Sequence, residues 1–408
     1  MLIKTENEYQ ILDDSEKWLA THDLKGSNGP AQLSYKKDLL IENCGGYIGT
    51  VKENGTVPRK IKDYHKAGTS VLEFDGFLPF GDTQANYKQV YRYSNKRLKV
   101  TTDVQFQEGL KIPRHFSVGS LFLPGEWSSI EITPPAYHQV HGSQNKTIKV
   151  PEYQDKEVML GHWHRPPLSV VFKRLNGTAI EVGTGSDIWR WEENLNYAPE
   201  SGSYKIILKE NGIYFLREPL ACCESVIPEV RPFRFSWYLA WRENGANKKL
   251  PKHQKINLTF NEKNELNSEA IRKQIQESSL YSYAVLDIKS LNWNQDQVRI
   301  LSEYDYIRDS RSTQACWSAK SVISCMKKII RKLQSIEGLN GIIFKGMEQG
   351  YCYCSSHVNK KHENGTAHWD INGLFDFASW ASNSCKGKLE LFVENDGTLL
   401  PSIAGLFE

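Results

Sequence analysis

The chain has 408 residues, of which 39% are hydrophobic and 24% are charged, and this composition excludes a largely disordered protein. Its 51 Lys and Arg residues nearly balance 48 Asp and Glu residues, and the net charge of +3 argues against a dedicated nucleic-acid-binding protein. The length predicts two or three domains. Aromatic residues are abundant, with 11 Trp, 19 Tyr and 16 Phe against 4 Met, and either the core or a ligand must account for them.

Residues from about 30 to 245 show the period-two alternation of β-strands. In Leu98–Phe106 and Phe233–Trp241 every second side chain is large or apolar, as in strands with one buried face. Asn176-Gly177 and Asn211-Gly212 separate further apolar runs, and Asn-Gly is the usual sequence of a two-residue hairpin turn. The fold class that we predict is mainly β, with one large antiparallel β-sandwich, similar to a super-sandwich, over residues 1–247.

After about residue 250 the periodicity becomes helical. Three helices are predicted: a short one capped by Ser268, a longer one over Thr313–Ile336 that ends near Gly338, and one from Ile371 to about Ser382 capped by Asp370. The apolar runs between them predict the strands Tyr283–Ile288, Gly341–Phe344 and Leu389–Val393. We therefore predict a smaller α+β region over residues 248–408, with α/β as the alternative.

The sequence also gives expectations about compartment and partners. No run reaches the ~18 consecutive apolar residues of a membrane-spanning helix, so we expect no membrane partner. The segment Met1–Tyr9 is polar and lacks the features of a signal peptide, which predicts a cytoplasmic protein; a secreted protein whose leader has been removed would look the same. The eight cysteines do not form a disulfide framework, and nothing indicates an oligomeric state.

The densest candidate site is the segment His162–Arg165. On a strand, His162 and His164 would project from one face about 7 Å apart, since each residue advances a strand by ~3.3 Å. This spacing suits two ligands of one divalent metal or two contacts to a substrate, with His138 and His141 as nearby additional donors. A structural role for these histidines is the third alternative.

A second cluster follows closely and combines acidic, aromatic and basic side chains. It comprises Asp187, Trp189, Arg190, Trp191 and Glu192. Sugar rings stack on indoles, while carboxylates and guanidinium groups bind hydroxyls or a uronate, so the cluster is typical of a carbohydrate subsite. Arg190 could instead form a structural ion pair, and tryptophans here could pack in the core. Five of the eleven tryptophans fall in this part of the chain: Trp163, Trp189, Trp191, Trp237 and Trp241.

The third candidate site lies before the last predicted helix. It contains Cys352, Cys354, His357, His362, His368 and Asp370. These residue types are those of metal ligands, but their spacing matches no common zinc module, and we assign no metal ligand among them. A catalytic loop and an ordinary surface loop are the alternatives. For general acid–base catalysis, His368 and Asp370 are the predicted pair, because the carboxylate would orient the imidazole.

The span from about residue 90 to 241 resembles the large β-sandwich of galactose-mutarotase-like proteins and of some polysaccharide lyases and glycoside hydrolases. The segments that carry the resemblance are Tyr91–Phe106, Phe116–Trp127, Ile180–Asp187 and the strand at 231–242. The Asn-His-x-x-Phe-Asn stretch that supplies a catalytic His in mutarotases is missing. The resemblance therefore implies a carbohydrate-related fold and assigns no catalytic residue. Nucleotide-binding loops and the Gly-x-Ser-x-Gly elbow are also absent from the sequence.

We predict a carbohydrate-active enzyme, a hydrolase or a lyase, that binds an oligo- or polysaccharide across an aromatic-lined sheet face. The predicted catalytic residues are His162, His164, Asp187, Glu192, His368 and Asp370, with Glu126 as a further carboxylate for hydrolysis. The predicted substrate contacts are His138, His141, Trp163, Arg165, Trp189, Arg190 and Trp191. The cofactor is left unknown: this prediction requires none, and a divalent metal is the alternative. A non-catalytic carbohydrate-binding protein and a metal-dependent enzyme that uses the His cluster are the alternatives.

Overall fold

The structure is a computed structural model, and it describes most of the chain. The described residues are 2–13, 16–23, 31–42, 47–49, 57–66, 69–80, 83–94, 96–106, 112–113, 117–133, 146–153, 155–160, 167, 169–184, 204–217, 225–226, 233–242, 250–277, 279–300, 311–348, 350–352, 354, 357, 368–394 and 400–407. The chain folds into two compact units, Met1–Asn244 (unit 1) and Gly245–Glu408 (unit 2). The separate roles given to residues 1–247 and 248–408 stay predictions.

Unit 1 is built from antiparallel strands. They are β1 (Leu2–Lys4), β2 (Glu8–Leu12), β3 (Trp18–Asp23), β4 (Ala31–Tyr35), β5 (Asp38–Ile41), β6 (Tyr47–Gly49), β7 (Val57–Lys66), β8 (Thr69–Phe80), β9 (Thr83–Ser94), β10 (Arg97–Gln105), β11 (Ile112–Pro113), β12 (Ser117–Pro124), β13 (Ser129–Thr133), β14 (Lys146–Lys149), β15 (Glu157–Met159), β16 (Ser169–Lys173), β17 (Ala179–Thr184), β18 (Tyr204–Lys209), β19 (Gly212–Arg217), β20 (Ser225–Val226) and β21 (Phe233–Arg242). A 3₁₀ helix covers Val150–Tyr153.

Three larger sheets make up this unit. Strands β1 to β5 form a five-stranded sheet in sequence order; a nine-stranded sheet has the order β14-β13-β16-β17-β21-β10-β9-β8-β7; a second five-stranded sheet has the order β15-β18-β19-β12-β6. Strands β11 and β20 pair separately. One hydrophobic core takes side chains from all three sheets, for example Trp18, Val100 and Phe215. The indoles of Trp18 and Trp241 stack at 5.6 Å between the first sheet and the nine-stranded one. The mainly β, antiparallel fold class is confirmed.

The period-two alternation correctly identifies the buried face of β10. Leu98, Val100, Thr102 and Val104 have no exposed surface, whereas Gln105 on the other face is exposed. In the neighbouring strand β21, Trp237 pairs with Val100 and Leu239 pairs with Leu98.

Both predicted hairpins form. Between β16 and β17, Gly177 has φ +83° and its N–H donates to the carbonyl of Arg174 at 3.0 Å. Between β18 and β19, the turn is followed by Gly212, where an added Cβ would lie 2.4 Å from the carbonyl oxygen of Leu123. Glycine is required at this second position because another strand approaches the backbone too closely for a side chain.

Unit 2 contains a parallel sheet with helical connections. Its strands are β22 (His253–Asn257), β23 (Tyr281–Asp287), β24 (Val298–Ile300), β25 (Arg311–Ala315), β26 (Leu339–Lys345), β27 (Tyr351–Cys352), β28 (His368–Trp369) and β29 (Glu390–Val393), and its helices are α1 (Ser268–Gln276), α2 (Lys320–Gln334), α3 (Ile371–Cys385) and α4 (Pro401–Ala404). The sheet has the order β22-β23-β26-β29, and every pair in it is parallel. Because α1, α2 and α3 each connect consecutive strands of this sheet, the unit is α/β in arrangement, the second of the two alternatives.

Of the three predicted helices, the last begins at Ile371 as predicted, whereas the starts of α1 and α2 differ from the prediction. Asn267, rather than Ser268, caps α1, with its side chain accepting from the N–H of Ala270. The prediction that a helix starts at Thr313 is wrong, because Arg311–Ala315 is a strand and α2 begins at Lys320. The side chain of Asp370 makes no capping hydrogen bond to α3, since its carboxylate is used elsewhere. Among the described residues, no helix is long and apolar enough to cross a membrane.

Candidate functional site

Most residues that the sequence singled out lie outside the described residues. They are His138, His141, His162, Trp163, His164, Arg165, Asp187, Trp189, Arg190, Trp191, Glu192 and His362. Their roles stay predictions. For His368 the structure describes the backbone alone, in β28 opposite Cys352 of β27.

Two of the tryptophans considered for sugar stacking belong to the core. Trp237 and Trp241 are 1% and 6% exposed, and both pack in the central cluster of unit 1. For these two the interpretation as core residues is correct, because a three-sheet core needs large apolar side chains. The stacking hypothesis therefore depends on Trp163, Trp189 and Trp191.

The carboxyl edge of the parallel sheet in unit 2 collects polar side chains. Ligands of α/β proteins usually bind outside the carboxyl ends of parallel strands, because the connecting loops converge there. Asp287 is the last residue of β23, and Glu348 follows β26 after a short turn through Gly346. Gly346 has φ +68°, and an added Cβ would lie 3.0 Å from Oδ1 of Asp287. The two segments therefore pack against each other at this edge.

A buried ion pair contacts this edge through Arg299, which also binds the backbone carbonyl of Glu348. Nε of Arg299 donates to Oδ2 of Asp370 at 2.8 Å, and the two side chains are 3% and 0% exposed. The backbone N–H of Trp317 donates to the same oxygen at 3.1 Å, and that of Gly350 donates to Oδ1 at 2.7 Å. Burial raises the pKa of the Asp370 carboxyl, and Arg299 and the two amides oppose this rise. Asp370 thus fixes three separate segments of the chain, and its carboxylate is already bonded through both oxygens.

Glu348 is the centre of a hydrogen-bond network that reaches the surface. Its backbone carbonyl accepts from Nη2 of Arg299 at 2.5 Å and from the indole N–H of Trp317 at 3.0 Å. Its carboxylate accepts from Nε2 of Gln314 at 2.6 Å and forms an ion pair with Lys289. Both side chains of this ion pair reach solvent, to 18% for Glu348 and 51% for Lys289. Glu348 is therefore firmly positioned and partly exposed to solvent.

Lys289 links the two carboxylates of the edge. Its backbone N–H donates to Oδ1 of Asp287 at 3.0 Å, and its ammonium group pairs with Glu348. Lys289 therefore contacts both carboxylates, one through its backbone N–H and the other through its ammonium group. Within the described residues, a cleft of only about 10 Å³ is lined by Glu348 and Lys289 together with Arg299, Gln314 and Trp317, and Asp287 is not among its lining residues.

A larger concavity lies in unit 1 at the turns around Gly125 and Asn176. This groove has a volume of about 830 Å³, which is within the range of ligand sites. Its charged lining residues are Glu126, Lys149, Glu152, Arg174, Lys209 and Glu210. Arg174 donates to the carbonyls of Leu39 and Pro124 at 3.0 Å each, and its guanidinium lies 4.9 Å from the ring of Trp127. Glu126 is exposed in this groove, where it has carboxylate neighbours and no described histidine among the lining residues.

Sequence reasoning missed Asp287, Lys289, Arg299, Gln314 and Glu348. Asp287 could have been identified from the sequence, since it is a carboxylate at the end of an apolar run that forms a parallel strand. Arg299 and Gln314 could not have been identified in this way, because their partners are distant in the sequence.

Comparison with known proteins finds similar solved structures at low TM-scores. No family model and no curated protein matches the chain. A galactose mutarotase-like protein from Lactobacillus casei ATCC 334 is similar over 58% of this chain and 100% of its own, with 8% identity and a TM-score of 0.36. A glycoside hydrolase family 97 enzyme from Pseudoalteromonas sp. strain K8, in complex with panose, is similar over 96% of this chain and 66% of its own, with 11% identity and a TM-score of 0.35. A family 36 α-galactosidase from Geobacillus stearothermophilus is similar over 84% and 65%, with 9% identity and a TM-score of 0.39.

The resemblance to mutarotase-like proteins and glycoside hydrolases is thereby confirmed as a likeness. This chain spans about two thirds of the length of the two hydrolases. At these scores the likeness transfers neither a residue nor an activity to this chain.

Proposed function

We propose that this protein is a carbohydrate-active enzyme that hydrolyses a glycosidic bond at the carboxyl edge of the parallel sheet in unit 2. The observation that carries the proposal is the pair of carboxylates, Asp287 and Glu348, which Lys289 holds together at the ends of two neighbouring strands. Glycoside hydrolysis needs one carboxyl group as an acid and a second as a nucleophile or base.

The surroundings of the two carboxylates support different roles. Glu348 accepts from Gln314 and pairs with Lys289, which fixes its oxygens, so we assign it as the nucleophile or base. The Oδ1 of Asp287 accepts from the backbone N–H of Lys289, and we assign Asp287 as the acid. The guanidinium of Arg299 holds the backbone carbonyl of Glu348 in place, and the amide of Gln314 holds its carboxylate.

The proposal is tested by turnover on a panel of glycosides and polysaccharides. Glu348→Gln and Asp287→Asn should each lower kcat by about 10²–10⁴-fold, because each removes a carboxyl group that acts in the transition state. Glu337→Gln is the matched control, since Glu337 is exposed and precedes β26 at the amino edge of the sheet. Unaltered turnover in both edge variants, or no turnover by the unmodified protein on any substrate, would contradict the proposal.

The same panel distinguishes this site from the one predicted on the sandwich. His164→Ala and Asp187→Asn, which alter the sequence clusters of unit 1, should leave kcat within a few fold if the edge carboxylates act. Loss of turnover in these two variants, with retention in Glu348→Gln, would move catalysis to unit 1. Lyase chemistry with His162, His164, Arg165 and Arg190 is the proposal that such a result would favour.

A second candidate function is carbohydrate binding without turnover, and the groove of unit 1 favours it. The groove offers carboxylates, cations and the side-chain amide of Asn176 beside the exposed Leu175, and these groups suit hydroxyls and an apolar sugar face. Glu126→Gln together with Arg174→Gln should weaken oligosaccharide binding measured by calorimetry. If binding is unchanged, the groove is not a sugar site.

A further inference from the structure

Two cysteines and a histidine come together in unit 2. The sulfur atoms of Cys316 and Cys352 and a ring nitrogen of His357 all lie within 4.8 Å of one another. Cys316 and Cys352 have no exposed surface, and His357 is 9% exposed. Cys316 follows β25, whereas Cys352 and His357 belong to the connection after β26, so tertiary structure alone brings them together.

The hydrogen bonds of His357 orient its ring toward the cysteines. Nε2 lies 2.6 Å from the backbone oxygen of Asp296, and Nδ1 lies 3.4 Å from the sulfur of Cys352. A carbonyl oxygen can only accept, so Nε2 carries the proton and the lone pair of Nδ1 points toward Cys352. Histidines that bind metals usually donate their other N–H to a backbone carbonyl or a carboxylate in this manner.

The spacing of the three atoms agrees with one tetrahedral ion. Zinc binds thiolate sulfur at about 2.3 Å and imidazole nitrogen at about 2.0–2.1 Å, which places tetrahedral ligand atoms roughly 3.5–4 Å apart. The 3.4 Å between Cys352 and His357 is close to this value, and the limit of 4.8 Å for the whole set leaves only a small adjustment.

Charge also favours a divalent ion. Two thiolates and one neutral imidazole carry a charge of −2, which a divalent cation cancels, and a neutral complex is the least costly to bury. The nearby Arg299 and Asp370 compensate each other in the same way.

We propose that Cys316, Cys352 and His357 bind a zinc ion. Thiolate and imidazole donors together are those that zinc prefers, and three protein ligands leave the fourth position to a water molecule. Each zinc that binds displaces the two thiol protons, which are released to solvent. The ion ties the connection after β23 to the connection after β26. The proposal of a zinc site does not depend on the proposed hydrolysis.

The test is the zinc content and affinity of the full chain prepared with reductant. The unmodified protein should contain one zinc per chain by elemental analysis and should bind zinc in competition with a chromophoric chelator. Cys316→Ser and Cys352→Ser should weaken binding by more than about 100-fold, since losing a ligand costs more than losing one of its outer partners. Cys385→Ser is the matched control, because Cys385 is a buried free cysteine outside the cluster and should leave the affinity unchanged.

Cobalt substitution gives a readout that does not depend on the stability of the variants. In the unmodified protein, cobalt should produce thiolate-to-metal charge-transfer absorption, and Cys352→Ser should reduce its intensity by about half through loss of one of two thiolates. His357→Ala should keep both thiolates and shift the visible bands. Failure of the unmodified, reduced protein to bind zinc or cobalt would overturn the proposal, as would equal affinity in Cys316→Ser and Cys385→Ser.

Discussion

His22 makes the stability of unit 1 depend on pH in a way that can be calculated. The imidazole is fully buried, stacks on Phe74 at 5.7 Å between ring centroids, and meets the edge of Tyr91 at 4.5 Å. Its Nε2 lies 3.4 Å from the hydroxyl of Tyr93, and among the described residues no hydrogen-bond partner reaches Nδ1. Burial in these aromatic surroundings lowers the pKa of His22 to about 3.

The sign follows from comparing the folded and unfolded states. An unfolded histidine binds a proton below a pH of about 6.5, whereas His22 in the folded protein binds one only near its lowered pKa of about 3. Between these two values the unfolded state holds the extra proton, so stability falls as the pH falls. Each pH unit is worth about 1.4 kcal/mol, and lowering the pH from about 7 to about 4.5 should cost roughly 2–3 kcal/mol through this residue alone.

Urea unfolding at a series of pH values measures the effect, compared between the unmodified protein and His22→Phe. Hydrogen exchange of a peptide that covers β3 (Trp18–Asp23) reports on the unit that contains His22, even if the two units unfold separately. When the pH is lowered from about 7 to about 4.5, the loss in the free energy of unfolding should be roughly 2–3 kcal/mol smaller in His22→Phe than in the unmodified protein. Tyr93→Phe is the control, because it keeps the buried imidazole and should keep the pH dependence. Equal losses in the unmodified protein and His22→Phe would refute the reasoning.

Two further substitutions test the packing of each unit. Asp370→Asn leaves the buried guanidinium of Arg299 without its carboxylate. This change should destabilise unit 2 by about 3–5 kcal/mol in urea unfolding. A loss below about 1 kcal/mol would contradict this expectation and would mean that solvent or another group stabilises the guanidinium. Gly183→Ala places a Cβ 1.9 Å from the ring of Tyr238, whose hydroxyl donates to Glu181 at 2.8 Å. Displacing that ring should cost about 1–3 kcal/mol by thermal unfolding, and an unchanged Tm would contradict the close contact.

The sequence is informative about unit 1 because its strands are defined by local patterns. The alternation in β10 is a direct consequence of one face being buried, so it can be recognised without any knowledge of the partner strands. Asn-Gly pairs identify hairpins because the turn geometry requires those residue types. The order of the nine-stranded sheet has no such signal. Strand β21 pairs with β10 through Val100 and Trp237, which lie far apart in the chain.

The start of α2 shows how tertiary contacts override a local pattern. Ala315 and Ala319 have helical spacing relative to Val322, and periodicity alone therefore extends the helix toward Thr313. In the structure, the N–H of Cys316 donates to the carbonyl of Gln297 at 2.8 Å, and Ala315 pairs with Val298 in β24. Ala315 is therefore held in β25 by its pairing with β24, a contact distant in the chain that periodicity does not take into account.

Asp370 illustrates the same limit in the candidate site. Its position just before a helix favours a local interpretation, because Asp is a common helix cap that accepts from the first N–H groups. The carboxylate instead binds Arg299, 71 positions earlier, and the N–H of Trp317, 53 positions earlier. A buried guanidinium without a carboxylate costs more than an uncapped helix, by about 3–5 against ~1 kcal/mol. The side chain of Asp370 therefore binds Arg299 and does not cap the helix. The same reasoning applies to Cys316 and Cys352: a cysteine spacing motif is visible only when the ligands lie within one local element, and these two meet only after the parallel sheet has formed.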